Sequence, residues 1–140
     1  MRSFKSDYEF GKMKEPIILE KIRQYFKDDS IIPTEGIYAK HDFKGKNKTF
    51  ELKCRKFHIN KYPTTIIAKD KILKTEETEQ GRLKQYFLFS FTDRLTFIEY
   101  TEDTFKDFEC KNFRRWGRVD FVDKEKLYYY IPITRLIDII

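Results

Sequence analysis

Two extended segments joined by a short basic turn set the terms for this chain: residues Ala39 to Arg55 read AKHDFKGKNKTFELKCR. The run Lys44-Gly45-Lys46-Asn47-Lys48 is turn-prone, and the apolar-flanked segments on either side of it read as a β-hairpin. Because side chains alternate across a strand, Glu51 and Lys53 share one face while Phe50, Leu52 and Cys54 take the other. A carboxylate and an ammonium then project together, and Asp42 on the neighbouring strand can reach the same point. His41 alternates to the face opposite Asp42, which suits a structural role.

Two converging carboxylates repel each other unless a cation lies between them. Mg²⁺ is held by one or two carboxylates together with water and phosphate oxygens at about 2.0–2.1 Å. It lowers the pKa of bound water and neutralises charge on a phosphodiester, alone or as one of a pair about 4 Å apart. A lysine two residues beyond the second carboxylate stands where it can orient or deprotonate the attacking water, or steady the transition state.

Asp42 followed by Glu51-Leu52-Lys53, with Arg55 extending the tail to E-x-K-x-R, resembles the PD-(D/E)XK nuclease superfamily; His41 replaces the proline of that motif. Upstream, Gly11-Lys12-Met13-Lys14-Glu15 is similar to the G-x-x-x-E opening of the first helix in archaeal Holliday-junction resolvases, whose glutamate joins the metal site. Later segments, through Tyr62-Pro63-Thr64-Thr65 and Lys71, resemble small nucleases of large DNA viruses and phages. The resemblance implies an α/β, restriction-endonuclease-like fold with a central mixed β-sheet flanked by helices. It implies Mg²⁺ or Mn²⁺ held by Glu15, Asp42, Glu51 and the Leu52 carbonyl, with Glu15, Asp42, Glu51 and Lys53 as the catalytic set. Glu9 and Glu20 are the other acids near Glu15, and the Gly11 spacing favours Glu15 over them. A helix-start acid with no metal role is the plainer reading of Glu15, whose charge the helix dipole favours.

At 140 residues the chain suits one domain spanning 1–140, long enough to bury about two thirds of its unfolded surface. Hydrophobic residues make up 40%, including 14 Phe and 9 Tyr, which excludes a disordered chain. A formal charge of +6 suits an anionic partner. No run of 18 apolar residues occurs, so no membrane span is expected. The start, MRSFKSDYEFGK, lacks the apolar core of a secretory signal. Cys54 and Cys110 have no C-x-x-C partner, so a reduced intracellular setting is expected, the host cytoplasm or nucleus for a viral protein, without structural zinc.

Along the chain, residues 1–10 suggest a short leading helix capped by Ser6 or Asp7, and Glu15-Pro16 opens a second helix. Ile17, Ile18, Ile22, Tyr25 and Phe26 recur in it at helical spacing. Asp28-Asp29-Ser30 ends it. The loop KFHINKYP, residues 56–63, is basic and aromatic and offers Arg55, Lys56, Lys61 and Tyr62 to nucleic acid; His58 is either a phosphate donor or surface decoration. Thr64 to Ile67 is β-prone, and charged Lys69 to Gln80 predicts a crossover helix bringing the next strand parallel to the Glu51 strand. Lys71 is a candidate contact to a bound strand; a solvated helix face is the bland alternative for Lys69 and Lys74. KQYFLFSF and Leu95 to Tyr100 form a second hairpin around Thr92-Asp93-Arg94, its aromatics read as core. Lys111 to Arg118 is the most concentrated basic segment, where Arg114, Arg115 and Arg118 suit phosphate and Trp116 can stack on a base. A surface loop anchored by Phe113 and Trp116 is the alternative. Leu127 to Ile131 predicts a strand stopped by Pro132, and Thr134 a cap for a short terminal helix.

The leading functional expectation is a metal-dependent nuclease hydrolysing phosphodiester bonds in DNA, an endonuclease. The alternatives are a non-catalytic nucleic-acid-binding module of the same fold, or a resolvase of branched DNA acting as a homodimer, since two symmetric cuts call for two sites. RNA stays open as a substrate because no residue reads a 2′-hydroxyl.

Overall fold

A helix, α1, spans Phe4–Phe26. The computed structural model describes residues 4–34, 41–112 and 126–140, with helix side chains described from residue 14 onward. The two helices expected on either side of Pro16 are one continuous helix, with Pro16 inside it. Glu15 is therefore mid-helix, away from the terminal dipole that would favour it. Ile18 and Ile22 bury in the core and Phe26 packs against it, whereas Ile17, on the neighbouring face, is 62% exposed. The apolar stripe thus follows the 18, 22, 26 spacing of one helix face.

Lys27 ends the helix in the left-handed region at φ 52°. Asp28 N–H donates to the Arg23 carbonyl at 3.0 Å, and Arg23 Nε donates to the Ile31 carbonyl at 2.8 Å, which folds the chain back onto the sheet. Strands β1 (Ile32–Pro33) and β2 (Phe43–Lys44) follow, and β2 forms the expected antiparallel hairpin with β3 (Lys48–Cys54). At the hairpin turn, Lys48 Nζ lies 2.9 Å from Asp28 Oδ2, and Lys46 N–H donates to Ser30 Oγ at 2.9 Å. Gly45 sits so close to the post-helix loop that a Cβ there would lie 3.2 Å from Ile31 Cγ1. These contacts fix the hairpin relative to α1.

β3 pairs in parallel with β5 (Lys84–Ser90), which forms the second expected hairpin with β6 (Leu95–Glu99); β9 (Ile137–Asp138) closes the far edge. The sheet order is β1-β2-β3-β5-β6-β9. A second sheet, β4-β8-β7, is built from Thr64–Ala68, Leu127–Pro132 and Glu109–Asn112. Between β6 and β7 lies a one-turn helix, α2 (Glu102–Phe105), capped by the Thr101 side chain.

Alternation then divides the core in two. Phe50, Tyr86, Leu88 and Phe97 face α1, with Ile18 and Ile22. Phe87, Phe89 and Ile98 face the other way, onto Ile67 and Ile131 of the second sheet and Phe105 of α2. This mixed central sheet with a helix on one face is compatible with the α/β, restriction-endonuclease-like architecture; a second sheet covers much of the other face.

Two expected helices are absent. The parallel crossover runs through β4 and 3-10 turns at Lys69–Lys71 and Thr75–Thr78, because Ile72 and Leu73 are adjacent and no apolar stripe supports a longer helix. Glu79, Gln80 and Gly81 then take positive φ in succession, which ends any helical course. At the C-terminus, a 3-10 turn at Ile133–Arg135 leads into β9, whose pairing satisfies the edge of β6 and buries Ile139. Among the described residues no helix is long and apolar enough to cross a membrane.

Lys48 and the Ser30 donors hold the Asp28 carboxyl down at about 2. Since the folded value lies below the ordinary one, the unfolded chain binds more protons between about pH 4 and 2, and the stabilisation present at neutral pH is lost across that window. Asp28→Asn should cost about 1–2 kcal/mol at pH 7 and flatten this acid limb, as read from urea midpoints between pH 2 and 7.

Candidate active site

The β2–β3 pairing ends at Phe43 and Phe50, and Asp42 stands just beyond it. Its N–H donates to the Phe50 carbonyl at 2.8 Å, and its own carbonyl accepts from Thr34 N–H at 3.0 Å. The Thr34 hydroxyl also donates to the His41 carbonyl. With the backbone pinned from both sides, the Asp42 carboxylate turns to β3, where Oδ2 accepts the Leu52 N–H at 2.7 Å. A side-chain oxygen thus replaces the ladder partner that β2 no longer supplies. N–H and C=O of one extended residue point the same way, so the Leu52 carbonyl opens toward the same edge.

Glu51 and Lys53 are registered beside Phe87 and Phe89 and so lie on the face turned to the second sheet. Where β5 contributes phenyl rings to that layer, β3 contributes charges. Glu51 is only 8% exposed, and its Oε1 lies 3.4 Å from Lys53 Nζ and 3.7 Å from Lys71 Nζ. Burial pushes its carboxyl above the usual carboxylate range; Lys53 opposes that shift, the Asp42 charge adds to it, and Lys71 opposes it further.

Lys71 reaches Glu51 from the 3-10 turn after β4. That turn is clamped by Gln85, buried on β5, whose Nε2 donates to the Lys71 carbonyl at 2.7 Å and whose Oε1 accepts from Leu73 N–H at 3.1 Å. One amide side chain satisfies two backbone groups of the crossover and holds the second lysine at the carboxylate.

The structure therefore brings together Asp42, Glu51, Lys53 and Lys71. Glu15 lies on α1, and its charge, with those of Lys14 and Asp42, is felt at Cys54, where burial raises the thiol. Asp42, in the plane of the sheet edge, is felt on both faces, at Glu51 and at Cys54. Among the described residues no group of three or more His, Cys, Asp and Glu side chains stands close enough to hold a metal ion. The donors that do converge, two carboxylates and an edge carbonyl, still match what Mg²⁺ takes from a protein when water and phosphate complete its shell.

Other expected contacts lie around this centre. Arg55 is committed to the fold: Nη2 donates to the Ile66 carbonyl at 2.9 Å and the guanidinium lies 5.7 Å from the Phe89 ring centroid, tying β3 to β4. Lys61 Nζ lies 5.5 and 5.6 Å from the Phe57 and Tyr62 centroids, and Tyr62 is exposed beside it; Lys56 is in the same loop. His58 is exposed near Asp93. Arg114, Arg115, Trp116 and Arg118 lie outside the described residues. Thr34 and Gln85 escaped the sequence reading; a lone glutamine opening an otherwise aromatic strand was the available signal for the second.

A protein-family model described as "Phage putative PDDEXK endonuclease" matches residues 18–138, which include the Asp42, Glu51-Leu52-Lys53 and Lys71 positions but begin after Glu15. No curated protein and no solved structure matches the chain.

Because its carboxyl is raised in the folded state, Glu51 weakens the fold at neutral pH, and the penalty shrinks as pH falls and the group protonates. Glu51→Gln should raise Tm by about 2–4 °C at pH 7.5, with the gain fading toward pH 4, as read by differential scanning fluorimetry. Gln85→Ala should free the Lys71 turn: amide exchange at Leu73 should accelerate at least about tenfold while the centre of β5 stays protected, as read by hydrogen-exchange NMR.

Proposed function

The chain belongs to the family of phage PDDEXK endonucleases, and from that membership we propose that it is a Mg²⁺- or Mn²⁺-dependent endonuclease cleaving phosphodiester bonds in DNA inside the host cell. The observation that carries the reading is the buried Glu51 carboxylate between two lysine amines, with Asp42 fixed to the adjacent Leu52 N–H. Asp42, Glu51 and the Leu52 carbonyl would hold the ion. When bound, it supplies an acidified water and charge neutralisation at the phosphate.

The remaining chemistry belongs to the chain. Lys53 orients or deprotonates the nucleophile at the Glu51 carboxylate, and Lys71 offers a second positive charge to the pentavalent phosphate. Glu15, on α1, is assigned with Asp42 and Glu51 to the metal and its water. Lys56, Lys61 and Tyr62 share the loop after β3, where phosphates would bind through charge; the basic 111–118 segment, with Arg114, Arg115, Trp116 and Arg118, is assigned the same task from its composition. Arg55 serves DNA indirectly, by holding the two sheets together.

Lys53→Ala should lower plasmid nicking in Mg²⁺ by about 10²- to 10⁴-fold while leaving the circular dichroism spectrum unchanged and weakening DNA binding far less than cleavage. Mn²⁺ should raise the Tm of the wild-type protein in the absence of DNA, and much less so in Asp42→Asn. Undiminished nicking by purified Lys53→Ala would remove the mechanism and leave a nucleic-acid-binding module.

A further inference from the structure

Next to Lys53 and Lys71 the surface opens into a cleft of about 600 Å³. Its described lining holds Lys53, Arg55, Lys71 and Lys126 and no carboxylate, while Tyr62, Tyr130 and Ile66 supply ring and aliphatic surface. The recess is continuous with the candidate active site, since Lys53 and Lys71 belong to both.

The position of Tyr130 follows from alternation. On β8, Tyr129 packs on Phe105 and Ile131 is buried in the inter-sheet core, so Tyr130 turns outward, paired with Ile66 of β4. Lys111, ion-paired with Glu109 at 2.7 Å, places its amine 4.7 Å from the Tyr130 centroid. Lys126 reaches the rim next to Asp70, 3.3 Å away.

Four cations line the recess against two neighbouring acids, Glu51 and Asp70, and this surplus of positive charge selects an anion, while flat rings next to it select a flat, weakly polar group attached to that anion. A nucleotide combines the two: phosphate for the amines and a base for the rings. The volume then limits the form of the nucleic acid. A recess of about 600 Å³ lies in the small-ligand range and suits about one or two nucleotides. A duplex, whose major groove alone is about 12 Å wide, presents its bases stacked and paired, with no free ring face to offer.

Resting on the nuclease reading above, we propose that this cleft binds unpaired nucleotides next to the scissile phosphate, with Tyr130 as a stacking platform, so that the preferred substrate is single-stranded or locally unpaired DNA. Lys53 and Lys71 then meet the phosphate at the inner end while the neighbouring base lies against Tyr130.

The test is fluorescence anisotropy of the full chain in EDTA, where nothing is cut, with a 12-nucleotide oligo(dT) and a blunt 12-base-pair duplex as probes. The oligo(dT) should bind at least about tenfold more tightly than the duplex. Tyr130→Ala should weaken oligo(dT) binding by about 10- to 100-fold and leave the duplex unaffected, while Tyr130→Phe, which keeps the ring, should restore it. Equal affinity for the two probes, or a Tyr130→Ala loss shared equally by both or not rescued by phenylalanine, overturns the proposal. The readout is separate from cleavage: a nuclease that depends on Lys53 but shows no preference for oligo(dT) loses the nucleotide cleft and keeps the active site.

Discussion

The in-register parallel pairing of β3 with β5 is the constraint on which the other features depend. It sets Phe50 and Leu52 beside Tyr86 and Leu88 against the helix, and Glu51 and Lys53 beside Phe87 and Phe89 on the opposite face. A slip of β3 by one residue would turn the two charges into the α1 core and Phe50 and Leu52 out of it. The hydrophobic register therefore aims the charged pair. A site built this way is held to the accuracy of a strand pairing rather than of a loop.

The same placement creates electrostatic tension. Glu51 is deprived of water and shares its surroundings with Asp42, and the lysine amines at 3.4 and 3.7 Å compensate only in part, so the carboxyl stays raised. A fold selected for stability alone would place an apolar residue there. Charge concentrated at a half-open sheet edge, where the Asp42 carboxylate substitutes for a missing strand, instead suits a site that receives a cation and a phosphodiester. Gln85 and Thr34 are the supports: the first holds the crossover turn that bears Lys71, the second the backbone at Asp42.

Features with a local period were legible in the chain. The Asp42 to Arg55 hairpin, the second hairpin at β5 and β6, the face of α1 through Ile18 and Ile22, and the parallel β3–β5 crossover all follow from alternation or helical spacing joined to turn residues. The charged crossover misled because composition was compatible with helix while Ile72 and Leu73 offered no stripe to bury. The terminal segment misled for another reason: β6 presented an open edge, and pairing with it outweighed the weak helical preference of a few residues. At the N-terminal side, Pro16 read as a helix start but is accommodated inside one long helix.

By itself the amino-acid sequence determined which residues share a face of a strand, and with that the coupling of Glu51 to Lys53 and the nearness of Asp42. These relations span a single hairpin, and backbone geometry dictates them. Only the tertiary structure decided that Lys71 joins the carboxylate, that Arg55 binds the Ile66 carbonyl, and that Tyr130 borders the same cleft. Each of these depends on how β4 and β8, segments far apart in the chain, come together as a second sheet over the first, and no local periodicity carries that information.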